Sequence, residues 1–209
     1  KTDSVQTLSV GEIRTVQSAV LNEQRVLNIS LPQNFSKEKP YPVIYLLDAN
    51  VYFDIIADAM NEIHSKAILV GIGYKDFVMM DSLRNRDYTF PKASPQDSFP
   101  ISGGAFNFLF FIKNEIIPYI DKTYQTETNN RTLMGHSLGA YFTLFVLKQE
   151  ILNTDHTFKN YVAASPSLHY GNKFLMDQWK QSVVYDNSIQ QNLWLTCGAK
   201  EDIEDSTGT

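Results

Sequence analysis

The chain has 209 residues, a length that favours a single domain. Its 43% hydrophobic and 20% charged residues are the balance of an ordinary globular protein and argue against disorder. A formal net charge of −5 excludes the basic footprint of a nucleic-acid binding protein. No apolar run approaches the roughly 18 residues that cross a membrane.

Cys197 is the one cysteine, which excludes an internal disulfide and a cysteine-rich zinc site. We see no metal cluster and no phosphate-binding loop, so no cofactor is expected. Oligomeric state and compartment stay open. The chain begins at Lys1 rather than Met, so we expect that a segment has been removed there, either a cleaved signal peptide or residues trimmed from the start of the chain.

The first third of the chain is predicted to form strands. Residues 9–20 and 25–31 alternate apolar and polar side chains on either side of a short polar connection, which is typical of a β-hairpin with one buried face. Residues 41–47 read Tyr-Pro-Val-Ile-Tyr-Leu-Leu and are almost wholly apolar, as in a strand buried on both faces.

Strands and helices then alternate. Helices are predicted over residues 52–64, 106–121 and 138–149, and strands over residues 67–72, 131–135, 161–164 and 193–196. The first helix is predicted to bury a stripe of Ile55, Ile56, Ala59 and Ile63, and Pro118 to kink the second. Such alternation implies parallel pairing with right-handed crossovers. The fold class is therefore α/β: a mostly parallel central sheet with an antiparallel N-terminal hairpin and helices on both faces.

One segment lacks any periodicity. Residues 81–104 are punctuated by prolines and glycines and are predicted to form a long loop, which in a compact domain is usually functional. Arg84 and Arg86 lie in this segment, and their guanidinium groups are suited to grip an anionic substrate through bidentate contacts. The alternative is that they are surface charges or attach the loop to the rest of the domain.

The motif that carries chemistry is Gly-His-Ser-Leu-Gly at residues 135–139, which matches G-x-S-x-G. A predicted strand precedes it and a predicted helix follows it, as a nucleophile elbow requires. Ser137 would then stand at a helix N-terminus, where exposed amides and the helix dipole favour developing negative charge. The alternative is a glycine-rich packing turn in which Ser137 caps the helix.

With Tyr-Pro-Val-Ile-Tyr-Leu-Leu-Asp at residues 41–48 and Arg-Asn-Arg-Asp-Tyr-Thr at residues 84–89, this motif resembles the α/β-hydrolase "Putative esterase" family, which includes esterase D and the siderophore esterases. The resemblance implies an α/β-hydrolase fold and covers roughly residues 9–201.

Three further motifs resemble the IroE-like and Fes-like siderophore esterase branch most. They are Gly-Gly-Ala-Phe at residues 103–106, Ile-Pro-Tyr-Ile-Asp at residues 117–121 and Ser-Pro-Ser at residues 165–167. Ala140 departs from the second glycine that many relatives carry after the elbow.

The fold and the resemblance assign two more parts of the site. The oxyanion hole combines the amide after the nucleophile, here Leu138, with an amide from the loop after an earlier strand; by resemblance we select Asn50. An ordinary Asx turn is the alternative there. The resemblance places an acid three residues after Gly198, which selects Glu201, with Asp202 as the second candidate. A solvated acidic tail is the alternative for both.

The general base is the part we do not find. In this fold the triad follows the order serine, acid, histidine. The chain has four histidines: His64, His136, His156 and His169. All of them precede Glu201, and His136 adjoins Ser137, where neighbouring side chains point apart. We therefore expect that the chain is truncated, that the base lies beyond Thr209, and that these 209 residues alone have little activity.

The leading function is a serine esterase. Ser137 would attack a small-molecule ester, such as a siderophore lactone, and water would release the resulting acyl-enzyme. One alternative is an acyltransferase on the same scaffold, in which an alcohol replaces water. Another is a non-catalytic binding protein that lacks the base.

Overall fold

The computed structural model describes residues 11–94, 99, 101–181 and 190–199. Seven strands form one sheet: β1 Glu12–Ser18, β2 Glu23–Ser30, β3 Tyr41–Leu46, β4 Ile68–Gly73, β5 Thr126–His136, β6 Asn160–Ala164 and β7 Asn192–Thr196. Their order is β1-β2-β4-β3-β5-β6-β7. The pairs β1–β2 and β2–β4 are antiparallel. The pairs β4–β3, β3–β5, β5–β6 and β6–β7 are parallel. The predicted sheet, with its antiparallel hairpin, is confirmed.

Helices cover both faces of this sheet. They are α1 Ala49–Glu62, α2 Phe77–Tyr88, α3 Ala105–Phe111, α4 Ile117–Thr123, α5 Leu138–Asn153 and α6 Tyr170–Gln181. Alternate residues of β4 show the two layers: Ile68 and Val70 join the core formed with α3 and α5, whereas Leu69 joins the core formed with α1. Within the described ranges, no helix has the length and hydropathy that crossing a bilayer needs.

The buried face of α1 differs from the prediction. Ile55 and Ile63 are 65% and 75% exposed, whereas Ala49 and Phe53 are buried against the sheet. The physical reason is Gly71 in β4, because a Cβ there would lie 2.7 Å from both the Ala49 Cβ and the Phe53 ring. The helix approaches the sheet through Ala49 and Phe53, so Ile55 and Ile63 are left exposed. Ile56, in contrast, is partly buried against this core as predicted.

Pro118 disturbs the predicted long helix one turn earlier than expected. A π-helical turn, Ile112–Ile116, separates α3 from α4, and the N–H of Ile117 donates to the carbonyl of Ile112. Proline lacks an amide hydrogen, and its ring crowds the carbonyl four residues earlier. The wider π turn absorbs this misfit without ending the helix.

Candidate active site

The predicted strand–turn–helix arrangement is present at the carboxyl end of β5. Ser137 is the single residue between β5 and α5, and it has φ 54° and ψ −117°, a strained conformation for a residue other than glycine. A Cβ on Gly135 would lie 2.4 Å from the carbonyl carbon and oxygen of Gly139. The turn therefore closes only because residue 135 has no side chain.

Main-chain hydrogen bonds hold Ser137 in this conformation. Its N–H donates to the carbonyl of Ala164 at 2.9 Å, and its own carbonyl accepts from Tyr141 at 3.0 Å and from Ser167 at 3.2 Å. The Ser137 hydroxyl lies 3.1 Å from the Ser167 hydroxyl. Sequence reasoning assigned Ser167 no role, and its position in the Ser-Pro-Ser motif after β6 was the available signal.

The two predicted oxyanion donors lie at the starts of two helices on one edge of the sheet. Leu138 begins α5, and Asn50 is the second residue of α1, which follows β3. Strands β3 and β5 are parallel neighbours, so both helices start at their carboxyl ends. The Asn50 side chain is engaged by Tyr74, with its Nδ2 donating to the carbonyl at 2.9 Å and its Oδ1 accepting the N–H at 2.8 Å. The main-chain amide of Asn50 is the candidate donor. That this amide and the amide of Leu138 point at one oxyanion position stays a prediction.

Among the described residues, no histidine is hydrogen-bonded to Ser137. His136 is exposed, and its Nδ1 lies 2.8 Å from the hydroxyl oxygen of Tyr52. The other three are also exposed: His64, His156 and His169. Glu201 and Asp202 lie outside the described residues, so the acid stays a prediction.

Arg84 and Arg86 lie on a helix, so the predicted loop over residues 81–104 is wrong in its first part. Helix α2 runs to Tyr88, and the carboxylate of Asp76 caps its N-terminus by accepting the N–H of Met79 at 2.9 Å. The helix shows no apolar stripe because its buried side includes the charged Asp87. The aspartate at the cap position was the local signal that could have revealed it.

Both guanidinium groups have internal partners. Arg84 donates through Nε and Nη2 to the two oxygens of Asp48 at 3.0 and 2.8 Å. Arg86 Nη2 lies 2.6 Å from Glu23 and 2.7 Å from Asp87. These contacts favour the alternative in which the arginines attach their segment to the domain, and substrate contact by either residue stays an untested prediction.

A buried ion network anchors α2 beneath this edge of the sheet. Arg25 in β2 is fully buried, and its Nη2 donates to Asp87 at 2.5 Å. Burial raises the pKa of Asp87, and the charges of Arg25 and Arg86 act against that rise. Burial also holds the pKa of Tyr88 well above its ordinary value, so its hydroxyl stays protonated where it accepts the N–H of Asp48 at 3.1 Å.

A cavity of about 450 Å³ lies at the opposite end of β6 and β7, lined in part by Asn129, His156 and Lys159. Ligands of parallel α/β sheets bind at the carboxyl ends of the strands, so we place the candidate site at Ser137 instead. In the part of the chain that the structure describes, no group of three or more His, Cys, Asp or Glu side chains is arranged to hold a metal ion.

A serine on a strained turn between a parallel strand and a helix, in a sheet with helices on both faces, defines the α/β-hydrolase class. The family model described as "Putative esterase" matches residues 18–206, and the chain belongs to this family.

Individual similar proteins indicate which branch of the family this chain resembles. Ferri-bacillibactin esterase BesA of Bacillus subtilis is 32% identical over an alignment 217 positions long, which covers 96% of this chain and 74% of BesA. The crystal structure of the BES protein from Bacillus cereus has a TM-score of 0.81 at 28% identity and covers 95% of this chain and 78% of that chain. An IroE-like serine hydrolase from Shewanella oneidensis has a TM-score of 0.75 at 27% identity, with 88% and 60% covered. The resemblance to siderophore esterases is confirmed, and these relatives support esterase function on a carboxylic ester.

Proposed function

We propose that this protein is a serine esterase that forms an acyl-enzyme on Ser137. The backbone conformation of Ser137 carries the proposal. Holding a serine at φ 54° and ψ −117° costs about 1–3 kcal/mol, a cost that an ordinary packing turn has no reason to bear. Ser137 also makes no side-chain capping bond to α5, which argues against the alternative in which it serves only as a helix cap.

In the proposed reaction, Ser137 Oγ bonds to the ester carbonyl carbon and its proton passes to a general base. The carbonyl oxygen becomes an oxyanion, which the amides of Leu138 and Asn50 stabilise by roughly 3 kcal/mol each. The carbon–oxygen bond of the ester then breaks, and the alcohol leaves with the proton held by the base. Water attacks the acyl-enzyme in the same way and regenerates Ser137. Glu201 is the proposed acid that orients the base.

The proposed substrate class is a siderophore lactone. The relatives named above support it, since BesA is a ferri-bacillibactin esterase. A second relative, 27% identical over 160 residues, is the apo-salmochelin esterase of Escherichia coli O6:H1; the alignment covers 48% of its length. Both names describe ester hydrolysis of a siderophore.

The test is a panel of simple esters and siderophore lactones given to the full-length natural protein, with and without an acceptor alcohol. We expect hydrolysis of at least one lactone, and a loss of at least about 10³-fold in kcat in Ser137→Ala. Ser82→Ala, at an exposed serine in α2, is the matched control and should retain full activity. Products that carry the acceptor alcohol would instead identify an acyltransferase, and retained hydrolysis in Ser137→Ala would refute the mechanism.

A further inference from the structure

Asp48 occupies the position of a helix cap but does not act as one. It directly precedes α1, is fully buried, and has the left-handed backbone angles φ 53° and ψ 43°. A capping residue is ordinarily extended, and its side-chain oxygen accepts the N–H of the second or third helical residue. Asp48 makes no such bond. The second helical residue is Asn50, whose amide is the proposed oxyanion donor.

Helix α2 provides the partners that hold Asp48 away from the cap position. One planar guanidinium group, that of Arg84, engages both carboxylate oxygens, at 3.0 and 2.8 Å. One turn later, Tyr88 accepts the main-chain N–H of Asp48. The side chains of Asp48 and Arg84 are 1% and 21% exposed, so the pair is largely shielded from water. These bonds offset the cost of a left-handed conformation for a residue with a Cβ.

The location of the carboxylate makes its charge relevant to the reaction. A Cβ built on Gly139, in the first turn of α5, would lie 3.3 Å from Asp48 Oδ2. The carboxylate therefore lies next to the helix start that is proposed to stabilise the oxyanion. An unpaired negative charge there would oppose the oxyanion, because charges interact strongly in a partly buried site.

We infer that Arg84 is a positioning residue for the oxyanion hole: it binds the Asp48 carboxylate and so leaves the Asn50 amide free for the substrate. The inference rests on the proposed function of Ser137 and Asn50. Without Arg84, Asp48 would relax towards the extended cap conformation, and its carboxylate would compete for the Asn50 N–H. In this role Arg84 acts on the oxyanion hole through Asp48 and not through the substrate.

The test compares the kinetics of the full-length protein carrying Arg84→Met with those of the double variant Arg84→Met/Asp48→Gly. Losing an oxyanion donor costs about 10²–10³-fold, so in Arg84→Met we expect kcat to fall roughly 10- to 100-fold while KM changes less than about threefold. In the double variant, glycine removes the competing carboxylate and adopts the left-handed conformation readily. Its kcat should recover to within about fivefold of wild type.

Arg131→Met is the matched control. It removes another arginine of an ion pair, which lies 2.6 Å from Asp121 and belongs to β5 five residues before its end. It should lower the melting temperature and leave kcat unchanged. If Arg84→Met does not fold, Arg84→Lys, with and without Asp48→Gly, allows the same comparison, because lysine keeps the charge but not the paired donors.

A purely structural role for Arg84 predicts that the double variant is no more active than Arg84→Met, and that result would overturn the inference. Unchanged kcat in Arg84→Met would overturn it as well. A wild-type protein that hydrolyses no ester, or that loses nothing in Ser137→Ala, would instead refute the proposed function.

Discussion

At the scale of single residues, the strain at Ser137 is balanced by its surroundings. Three main-chain bonds, with Ala164, Tyr141 and Ser167, fix the residue from two neighbouring elements. The serine hydroxyl is thereby held at the sheet edge before any substrate arrives. Preorganisation of this kind avoids rearrangement at the moment of reaction, which is the condition for efficient electrostatic stabilisation.

The closure of this turn leads to a prediction about Gly135. Gly135→Ala should destabilise the protein by about 2–3 kcal/mol, because the new Cβ would lie 2.4 Å from backbone atoms of Gly139 that cannot move without opening the turn. Gly139→Ala is the matched comparison and should cost less than about 1 kcal/mol, since the nearest atom, at 3.3 Å, belongs to the Asp48 side chain. Urea unfolding measures both values, and equal losses would contradict the prediction.

The elbow could be predicted from the sequence because its parts are adjacent in the chain. The contacts that surround it could not. Asp48 and Arg84 are 36 residues apart, and Ser137 and Ser167 are 30 residues apart. No local pattern encodes which residues a crossover connection will bring together. Arg84 was therefore predicted as a substrate contact, a surface charge or an attachment of its segment, without Asp48 as the partner.

At the scale of elements, the packing of α1 against Gly71 predicts that two apolar side chains close together in this helix contribute very differently to stability. Phe53→Ala should cost about 3–5 kcal/mol in the free energy of unfolding, because this buried ring fills the space over the sheet. Ile55→Ala should change it by less than about 0.5 kcal/mol, because that side chain is exposed. Chemical denaturation measures the free energy of unfolding of both variants. A larger loss of stability in Ile55→Ala than in Phe53→Ala would mean that the buried face of α1 is the one predicted from the sequence.

Helices α2 and α6 show where hydrophobic periodicity fails. Helix α6 has only Tyr170 and Leu175 among its buried residues, and left-handed residues, including Gly171, interrupt its first turn. Helix α2 buries Asp87 among its few inward side chains. Helix α2 presents no apolar stripe, because ion pairs replace part of the usual apolar contact. In α6, Leu175 and Trp179 do face the core, but the left-handed residues break the helical spacing before them.

Lys113, in the π-helical turn, attaches that turn to α5 and to the loop that follows α5. Its ammonium lies 3.0 Å from Glu150 and also donates to Asp155. Burial alone would raise the pKa of Asp155, but hydrogen bonds from Lys113 and Thr157 outweigh burial and leave the pKa below its ordinary value. A lowered pKa in the folded state stabilises the protein above the unfolded pKa, and this stabilisation is lost as the pH falls through the folded pKa.

Asp155→Asn should therefore destabilise the protein at pH 7 by no more than about 1 kcal/mol, because the carboxylate is partly exposed. The difference from wild type should begin to fade as the pH falls below the ordinary aspartate pKa of about 4, and should vanish below the lowered pKa of the folded protein, where the wild-type carboxyl is neutral. Thermal unfolding from pH 7 to pH 3 measures it. Asp177→Asn, at an exposed pair with Lys180, should cause no measurable loss. A constant or growing difference at low pH would contradict the assignment.

At the scale of the whole molecule, one edge of the sheet exposes apolar side chains to solvent. Among the strands that the structure describes, β7 forms one edge, and its residues Leu193, Trp194 and Leu195 are 43%, 54% and 50% exposed. Consecutive side chains of a strand point to opposite faces, so apolar side chains are exposed on both faces of β7. The alignment with BesA covers 74% of that protein, which is therefore longer than the aligned region. The C-terminal continuation expected from the sequence stays a prediction.

The last prediction concerns the general base. Serine is a weak nucleophile without one, and a positioned base contributes about 10²–10⁴-fold. In the described part of the chain, the side chain that is hydrogen-bonded to the Ser137 hydroxyl is that of Ser167, which is no base at neutral pH. We predict that residues 1–209 alone hydrolyse an activated ester at least about 100-fold more slowly than the full-length natural protein, in which a later histidine reaches Ser137.

Paired kinetic assays of the two proteins, with circular dichroism to verify that the shorter one is folded, provide the measurement. In the full-length protein, replacing the later histidine by asparagine should reduce kcat to the level of residues 1–209. His156→Asn, remote from Ser137 at the opposite end of the strands, should have no effect. Equal activity of the two proteins would mean that a base lies within the first 209 residues. His136→Asn and His169→Asn would then identify it, because His136 is the last residue of β5 and His169 follows the carboxyl end of β6 by five residues.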